Sequence, residues 1–321
     1  MNILEILKSK EIVSGNAIGE VLGISRAAVH KQINALKQIG YKIKSSSKGY
    51  VLINGKNLFN EYEIESKLKE PLKICKTVKY YKQLPSTQTT VKKLAQKNFK
   101  EGFIIVAEKQ TNSYGRIKRT WSSNSGGLWF SILLKPSISP DEASKLTLIL
   151  SIALKRTLKE YKVDSEIKWS NDVFVNGKKI AGILVEMSAE QDGINWIVAG
   201  IGININNKLP KKFAGISLKE ILKREVDRAE FLAKFLAKFE EIYNNFCNTG
   251  FEMFVEEYNR NIAYKNEIVT IDDGCNNVVS GVNLGIDKDG RLMVNTKVGL
   301  EKIVSGTLRK EVGYDSALGR R

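Results

Sequence analysis

Cysteine is scarce in this chain, which contains only Cys75, Cys247 and Cys275. They lie far apart and form no Cys-x-x-Cys pair, so the sequence predicts neither a zinc site nor a disulfide framework. Three ordinary thiols in a reducing compartment are expected. Histidine is scarcer still, because His30 is the only one. It has no catalytic partner nearby in the sequence, so a nucleophile–histidine–acid triad is not expected.

Long apolar runs are also missing, and none approaches the length of a membrane span. The first residues carry no basic segment ahead of an apolar run, so no signal peptide is predicted. There is no internal repeat and no low-complexity tract. We therefore expect a cytoplasmic protein without a membrane partner.

Acidic residues are in deficit. The 321 residues include 51 Lys and Arg against 35 Asp and Glu, which gives a formal net charge of +16 at pH 7. Such a surplus favours a polyanion or anionic ligands as partners, although a generally lysine-rich proteome would produce the same balance. The length allows two or three domains, and a hydrophobic content of 42% is enough for their cores.

A β-hairpin is predicted near the middle of the chain. The segments 173–175 and 180–186 are rich in β-branched and apolar residues. They flank Asn176-Gly177, the dipeptide that best accepts a type I′ turn. Gly182 lies inside the second strand, where a glycine weakens pairing unless something must approach the backbone closely.

Polar groups gather around this hairpin. Lys168, Asn171 and Asp172 precede it or open it, and Lys178 and Lys179 lie within it. A carboxylate, an amide and lysines on one rigid element suit an anion such as a phosphate, because phosphoryl chemistry needs fixed cations and donors. The alternative is an ordinary hairpin with solvated lysines.

Residues 2–53 are predicted to form three helices and a hairpin. Ser14 and Ser25 are placed to cap the second and third helices, and Gly40 ends the third, which covers 26–39. This order of elements is typical of a winged helix-turn-helix, in which one helix face enters the major groove of DNA.

The predicted hairpin of this region has strands over 41–44 and 50–52 and a flexible basic tip over 45–49. Its lysines would contact phosphates, while the third helix would read bases. The residues predicted to contact DNA are Arg26, His30, Asn34, Lys37, Lys44 and Lys48. A helical domain with a solvated basic face, or a winged helix that binds protein, remains an alternative.

Two polar segments stand beside predicted strands in the central part of the chain. Ser86 and Thr87 precede a helix over 89–96, where a serine or threonine is first of all a cap. The basic loop 112–121 separates two strands and could fold over an anionic ligand and exclude water. A plain surface loop is the alternative reading of that segment.

A small barrel-like β domain is predicted over 263–310, with Asp289-Gly290 as a hairpin turn. Its strands are predicted over 267–271, 278–286, 292–295 and 301–305. The preceding residues, 217–259, are predicted to form two helices. A largely buried helix is predicted over 146–161.

The string Lys-Trp-x-Asn-Asp at 168–172, followed by the hairpin with Lys-Ile-Ala-Gly-Ile-Leu-Val-Glu at 179–186, resembles the central motif of biotin–protein ligases. The loop 113–121 resembles the family's Gly-Arg-Gly-Arg-x-Gly-Arg-x-Trp. A strand over 196–199 leads into 200–206, which resembles the family's Gly-x-Gly-x-Asn strand. The latter is not a dinucleotide-binding fingerprint, because a third glycine and a following helix are missing.

The resemblance spans nearly the whole chain and is to the bifunctional biotin–protein ligases that repress the biotin operon. It implies an α+β multidomain protein. A winged helix-turn-helix is expected over 1–60, a mixed α/β, class II synthetase-like ligase domain over 61–262, and a small SH3-like β-barrel over 263–321.

The resemblance also implies a reaction. The family uses ATP and Mg²⁺ to form biotinyl-5′-adenylate, and transfers biotin to a lysine of a biotin carboxyl carrier protein. The adenylate is also a corepressor that favours a homodimer on operator DNA. Two alternatives stay open, a ligase whose winged helix does not repress and a biotin sensor without catalysis. A lipoate or octanoate enzyme shares the fold, but the Lys-Trp-x-Asn-Asp string favours biotin.

Site residues follow from the same resemblance. The expected ligand-binding residues are Ser86, Thr87, Gln110, Gly115, Arg116, Arg119, Trp121, Lys168, Asn171, Lys179, Gly182, Asn204 and Arg309. Lys179 would stabilise carboxylate and phosphate charge together, and Arg116 would cover the adenylate. Asp172 would bind Mg²⁺ and accept the proton of the acceptor lysine. Arg309 is equally well read as a surface arginine.

Some positions depart from the family pattern. Ser113, Tyr114 and Lys118 stand where the family has glycine, arginine and glycine, and Gln88 replaces an asparagine. The missing glycines restrict the backbone, and the missing arginine removes a contact to the intermediate. We therefore expect a looser hold on the adenylate.

Overall fold

The computed structural model describes residues 3–9, 11–54, 58–68, 72–190, 193–210, 213–273 and 277–311. Cys275 and Pro71, the predicted helix breaker before the second domain, lie outside these residues. The chain divides into two compact units, Met1–Glu63 and Ile64–Arg321. Among the described helices, none combines the length and apolar composition that crossing a bilayer requires.

The first unit contains three helices followed by an antiparallel hairpin. Its elements are α1 (Ile3–Ser9), α2 (Gly15–Leu22), α3 (Arg26–Gln38), β1 (Lys42–Ser46) and β2 (Gly49–Asn54). The caps form as predicted, because the Ser14 side chain accepts from the backbone N–H of Ala17 and that of Ser25 accepts from Ala28. Ile18, Val29 and Ile33 are fully buried and hold the helices together.

The hairpin strands of this unit are longer than predicted. Ser46 pairs with Gly49, so the connecting tip is only two residues rather than 45–49. Strand β2 begins early because Tyr50 exchanges backbone hydrogen bonds with Val13, a contact from a distant part of the unit. Gly49 has φ +137°, and a Cβ there would lie 2.2 Å from the Val13 carbonyl oxygen. Only glycine fits this approach.

The second unit is built on a mixed seven-stranded sheet. Its helices are α4 (Glu61–Lys67), which begins before the unit boundary, α5 (Thr87–Gln96), α6 (Lys145–Glu160), α7 (Leu218–Leu222), α8 (Arg228–Thr249) and α9 (Val255–Asn261). Its large sheet consists of β3 (Thr77–Tyr81), β4 (Phe103–Ala107), β5 (Leu128–Leu134), β6 (Glu166–Lys168), β7 (Asp172–Val175), β8 (Lys178–Glu190) and β9 (Gly193–Ile203). The strand order is β3-β4-β5-β9-β8-β7-β6, and among these described strands β3 and β4 are the one pair of neighbours that is parallel.

Helices cover both faces of this sheet. Phe130 on β5 packs edge-on against Phe235 of α8, with ring centroids 5.5 Å apart. Leu133, on the opposite face of the same strand, packs in a cluster with Val91 of α5. Side chains on the α5 face, including Ser131, are therefore free to line a site at the start of that helix.

Three predicted elements need correction. Strand β9 runs unbroken over Gly193–Ile203 rather than over 196–199, because it pairs with β8 from end to end and with β5 over 197–203. Helix α5 begins at Thr87 rather than Thr89. The region predicted as two helices contains α7, α8 and α9, because Lys223 takes a left-handed conformation and Gly250 ends α8.

A smaller antiparallel sheet follows in the same unit. Its strands are β10 (Ile268–Asp272), β11 (Val278–Ile286), β12 (Leu292–Thr296), β13 (Gly299–Ile303) and β14 (Thr307–Lys310), in the order β13-β12-β11-β10-β14. Strand β13 begins two residues before the predicted 301–305, because Gly299, at φ +125°, pairs directly with Thr296. The Trp169 indole donates to the Gly290 carbonyl at 3.1 Å and so ties this sheet to the large one.

Candidate active site

A cavity of about 340 Å³ opens beside the centre of the large sheet. Its walls come from the start of α5, the loop over 113–121, strands β7 to β9 and the segment just before and within β14. Twelve of the predicted site residues line it: Ser86, Thr87, Gln110, Gly115, Arg116, Arg119, Trp121, Lys168, Asn171, Asp172, Lys179 and Gly182. Segments separated by more than two hundred residues of sequence, from Ser86 to Leu308, therefore converge on one space.

The hairpin places its charged groups at the cavity wall. Lys179 Nζ lies 2.6 Å from Asp172 Oδ1 and 5.0 Å from the centre of the Trp121 ring. Asp172 pairs across the hairpin with Gly182, where a Cβ would lie 3.1 Å from Lys179 Cε. The glycine predicted to permit a close approach therefore leaves space for the lysine side chain.

Arg116 connects the loop to two other segments. Its guanidinium donates to Ser170 Oγ at 3.1 Å, to Asn171 Oδ1 at 3.0 Å and to the Gly306 carbonyl at 3.1 Å. Burial lowers the pKa of this guanidinium, and the charge of Asp172 opposes that effect. A desolvated arginine gains most from an anion brought beside it.

Lys168 is a second partly desolvated cation in the cavity wall. Its Nζ lies 5.0 Å from the centre of the Phe174 ring. Burial lowers the pKa of Lys168, the charge of Asp172 raises it, and Lys179 and Arg309 lower it further. Four cations, Arg116, Arg119, Lys168 and Lys179, and the carboxylate of Asp172 thus line the same space, which leaves an excess of positive charge for an anionic ligand.

The far end of the cavity is neutral and hydrogen-bonded. The backbone N–H of Thr87 donates to Gln110 Oε1 at 2.7 Å, and Thr87 Oγ1 lies 2.9 Å from Ser131 Oγ. Ser131 Oγ donates to Gln88 Oε1 at 3.0 Å. Such a set of amides and hydroxyls suits a small polar head group rather than a charge.

Gln88 and Ser131 line the cavity but were not among the predicted site residues. The family motif has asparagine at the position of Gln88, so the resemblance does not predict a role for this glutamine. Glutamine and asparagine both carry a side-chain amide. A Cβ at Gly200 would lie 2.4 Å from Gln88 Oε1, so the longer side chain fits because residue 200 is a glycine. The available signal in the sequence was the longer amide at Gln88 together with the glycine at Gly200. Nothing in the sequence around Ser131 indicates a role.

Two predicted residues do not line the cavity. Asn204 is buried behind the hairpin, where its Nδ2 lies 3.5 Å from the Lys179 carbonyl and its Oδ1 accepts from Asn207. Arg309 is exposed on β14. Asn204 therefore contacts the segment that carries Lys179. Arg309 is close enough to influence the charge of Lys168.

The two ends of the basic loop are hydrogen-bonded to each other. Ser113 Oγ donates to the Trp121 carbonyl at 2.8 Å, and the N–H of Gly115 donates to the Arg119 carbonyl at 2.8 Å. Lys118 has φ +52°, a left-handed conformation, at the position where the family motif has glycine. The loop is thus an ordered turn whose tip carries some backbone strain.

The six residues predicted to contact DNA all lie in the first unit and are all exposed. Arg26, His30, Asn34 and Lys37 lie on α3, while Lys44 and Lys48 lie on the hairpin. Within this unit the two groups are joined, because Lys37 Nζ donates to Ser45 Oγ at 3.0 Å.

Comparison with known proteins fits this arrangement. Residues 80–204 match the model described as the Biotin/lipoate A/B protein ligase family, residues 1–51 match one described as HTH domain, and residues 266–307 match one described as Biotin protein ligase C terminal domain. Fold and site thus define a ligase of the biotin and lipoate class, joined to a helix-turn-helix domain.

Relatives that match over nearly the whole chain identify the family within this class of ligases. The chain is 36% identical to the bifunctional ligase/repressor BirA of Bacillus subtilis (strain 168), over 93% of this chain and 94% of that protein. It is 27% identical to the protein of the same name in Escherichia coli (strain K12), over 92% of this chain and 91% of that one. The chain therefore belongs to the bifunctional ligase/repressor family of biotin protein ligases.

A solved structure gives the same fold. The biotin protein ligase of Aquifex aeolicus, solved in complex with biotin and ATP, superposes with a TM-score of 0.66 at 30% identity. It covers 74% of this chain and 100% of its own.

Proposed function

We propose that this chain is an ATP-dependent biotin–protein ligase that also represses transcription when its adenylate is bound. The observation that carries the catalytic proposal is the pairing of Lys179 with Asp172 at 2.6 Å, with Arg116 in the same cavity. Fixed cations in a partly dry site are what a phosphoryl transition state requires.

In the first half-reaction a carboxylate oxygen of biotin attacks the α-phosphorus of ATP. The bond from that phosphorus to the bridging oxygen breaks, and pyrophosphate leaves. Lys179 and Lys168 offset the charge that two anions bring together, and Arg116 covers the product phosphate. The amides and hydroxyls around Thr87 hold the ring end of biotin, which leaves its carboxylate toward the cations.

In the second half-reaction the amine of the carrier protein's acceptor lysine attacks the carbonyl carbon of the mixed anhydride. The bond to the phosphate oxygen breaks, and AMP leaves. The amine must lose a proton, and its ordinary pKa is about 10.4. Asp172 accepts this proton, and it is the single carboxylate among the described residues that line the cavity.

Mg²⁺ fits this site only as a partner of the substrate. The described residues contain no group of three or more His, Cys, Asp or Glu placed to hold a metal ion. Mg²⁺ usually keeps several waters and binds one or two carboxylates together with substrate phosphates. Asp172 would supply the protein oxygen, and Mg²⁺ would neutralise phosphate charge.

The regulatory part of the proposal rests on the first unit. Its helices and basic hairpin form a winged helix-turn-helix, and a homodimer formed on adenylate binding presents two of them to an operator. The proposed domains cover 1–60, 61–262 and 263–321, with a class II synthetase-like centre and an SH3-like barrel at the end. A cytoplasmic location supplies ATP and the carrier protein.

Biotin-dependent exchange of labelled pyrophosphate into ATP tests the enzyme directly. Lys179→Ala is expected to slow exchange by a factor of about 10² to 10³, as when a transition-state donor is lost. Lys178→Ala is the matched control, because Lys178 is an exposed neighbour that does not line the cavity. Lipoate should not replace biotin. Biotin binding without exchange in the wild type would instead identify a sensor without catalysis.

A further inference from the structure

Glu186 lies on β8 just beyond the cavity, where it joins side chains from two other segments, Gln88 and Lys92 of α5 and Tyr114 of the basic loop. Its Oε2 accepts from Gln88 Nε2 at 2.9 Å and from the Tyr114 hydroxyl at 3.2 Å. Its Oε1 accepts from Lys92 Nζ at 2.8 Å. Nothing in the reaction described above uses this carboxylate.

One arm of this cluster fixes the neutral end of the cavity. Gln88 Nε2 donates both to Glu186 and to the Val198 carbonyl, at 2.9 and 3.0 Å. Its two N–H groups are therefore occupied, and its Oε1 must turn toward Ser131. The carboxylate thereby orients the amide oxygen at the cavity wall.

The other arm holds the basic loop. Tyr114 stands where the family motif has arginine, and its hydroxyl reaches Glu186 across 72 residues of sequence. Lys92 lies over the Tyr114 ring, with Nζ 5.7 Å from the centroid. Burial lowers the pKa of the Lys92 ammonium, but its hydrogen bond to Glu186 raises that pKa, and the net result is a raised pKa. The tyrosine is therefore held by a hydrogen bond and by a cation.

We propose that Glu186 is a positioning residue that holds the loop over 113–121 against the sheet, through Tyr114, before any ligand binds. Through Gln88 the same carboxylate shapes the cavity end, so loop position and pocket shape are coupled. The inference rests on the proposed function for its consequence: a loop ordered in advance reduces the entropy lost when biotin and its adenylate bind.

Limited trypsin cleavage of the ligand-free protein tests the loop contact without any ligand. The loop carries Arg116, Lys118 and Arg119, so each cut can be assigned by mass spectrometry. Tyr114→Phe keeps the ring and removes the hydroxyl. Loss of one hydrogen bond to a charged group should speed cleavage there by about tenfold. Unchanged cleavage would overturn the proposal.

Tyr80→Phe is the matched control. Tyr80 also donates to a glutamate, Glu108 just after β4, at 3.4 Å, but it does not line the cavity. Trypsin should cleave the Tyr80→Phe variant after Arg116, Lys118 and Arg119 at the same rates as the wild type. An equal acceleration in both variants would indicate a general loss of stability and would contradict a specific role for Tyr114.

A double-mutant cycle tests whether Tyr114 acts through Glu186. Glu186→Ala should also speed loop cleavage, and adding Tyr114→Phe should then have no further effect. Independent, multiplicative effects would contradict the coupling. The urea midpoint of each variant identifies any that fail to fold, and such a variant is replaced by Glu186→Gln, which keeps one acceptor oxygen.

Kinetics separates this inference from the proposed function. Tyr114→Phe should raise the KM for biotin in pyrophosphate exchange by a larger factor than it lowers kcat. The reason is that part of the free energy of biotin binding must then be used to order the loop. A fall confined to kcat would overturn the positioning role. If the wild type shows no exchange, the proposed function fails, while the cleavage result still decides whether Glu186 holds the loop.

Discussion

Asp172 has two proposed duties that can be separated by experiment. It pairs with Lys179 at 2.6 Å, and it is expected to take the proton of the acceptor lysine. Asp172→Asn keeps the shape but accepts no proton. Transfer to the carrier protein should therefore fall by about 10² or more, the worth of a general base, and adenylation by a smaller factor. Single-turnover measurement of each half-reaction checks this, and equal losses would remove the separate role.

Ser113 and Tyr114 show how a local departure can be compensated at a distance. The sequence predicts a looser hold on the adenylate, because a glycine and an arginine are missing. That prediction remains untested, but Ser113 Oγ bonds the Trp121 carbonyl and Ser123 Oγ, both at 2.8 Å, and Tyr114 bonds Glu186. These contacts weigh against a loose loop.

The double variant Ser113→Gly/Tyr114→Arg decides between these expectations. It removes both sets of contacts and adds backbone freedom at Ser113. On the structural argument, adenylate should leave the variant faster than the wild type, as measured by chasing labelled intermediate with unlabelled biotin and ATP. Slower release of the adenylate would favour the sequence-based expectation. Equal release rates from the variant and the wild type would contradict both expectations.

At the scale of elements, the paired strands β8 and β9 form a glycine platform. Gly182 pairs directly with Gly202, and the Trp121 indole lies over both. A Cβ at Gly202 would lie 2.6 Å from Trp121 Nε1, which is closer than real Cβ contacts allow. The strand glycines therefore set how deep the indole sits, and with it the position of Lys179.

Gly202→Ala should push the Trp121 ring into the cavity and displace the ammonium group of Lys179. We expect pyrophosphate exchange to fall by at least about tenfold, since small displacements of positioned groups are costly. The urea midpoint serves as the control, because loss of folding would show there first. Normal exchange in a folded Gly202→Ala protein would contradict the platform.

Local signals explain which elements could be predicted. The hairpin follows from Asn176-Gly177, whose φ values of +50° and +70° fit the predicted turn. Ser14 and Ser25 cap their helices as expected because a cap depends on residues only three positions away. Where the fold depends on neighbours in sequence, the residues alone predict it.

Long-range contacts explain what could not be predicted. The full length of β9 depends on β5 and β8, which flank it in the sheet. The contacts of Glu186 with Gln88 and Tyr114 span 98 and 72 residues of sequence. Twelve residues of the cavity wall were predicted through a resemblance between motifs, whereas contacts at positions that depart from the motif required the structure.

At the scale of the whole molecule, basic residues of this chain of net charge +16 line two chemically different sites. In the cavity, Lys168, Lys179 and Arg116 are partly desolvated and face a small space. On the first unit, the predicted DNA contacts are exposed to solvent. Salt should therefore weaken operator binding far more than adenylate binding, because exposed charges are screened and release counterions.

The lysines of the first-unit hairpin allow a sharp test of its role on DNA. Lys44→Ala and Lys48→Ala should each weaken binding to any duplex and reduce the slope of log K against log salt by about 1, the value for one phosphate contact. Fluorescence anisotropy at several salt concentrations, with adenylate present throughout, measures that slope.

Lys31 provides the control for this experiment. It is exposed on α3 but lies off the face formed by Arg26, His30 and Asn34. Lys31→Ala should leave the slope unchanged if that face enters the groove, because its ammonium then points away from the phosphates. Equal slope changes for Lys31 and Lys48 would mean that a diffuse positive charge attracts DNA. An unchanged slope in the hairpin variants would leave this unit a protein-binding module.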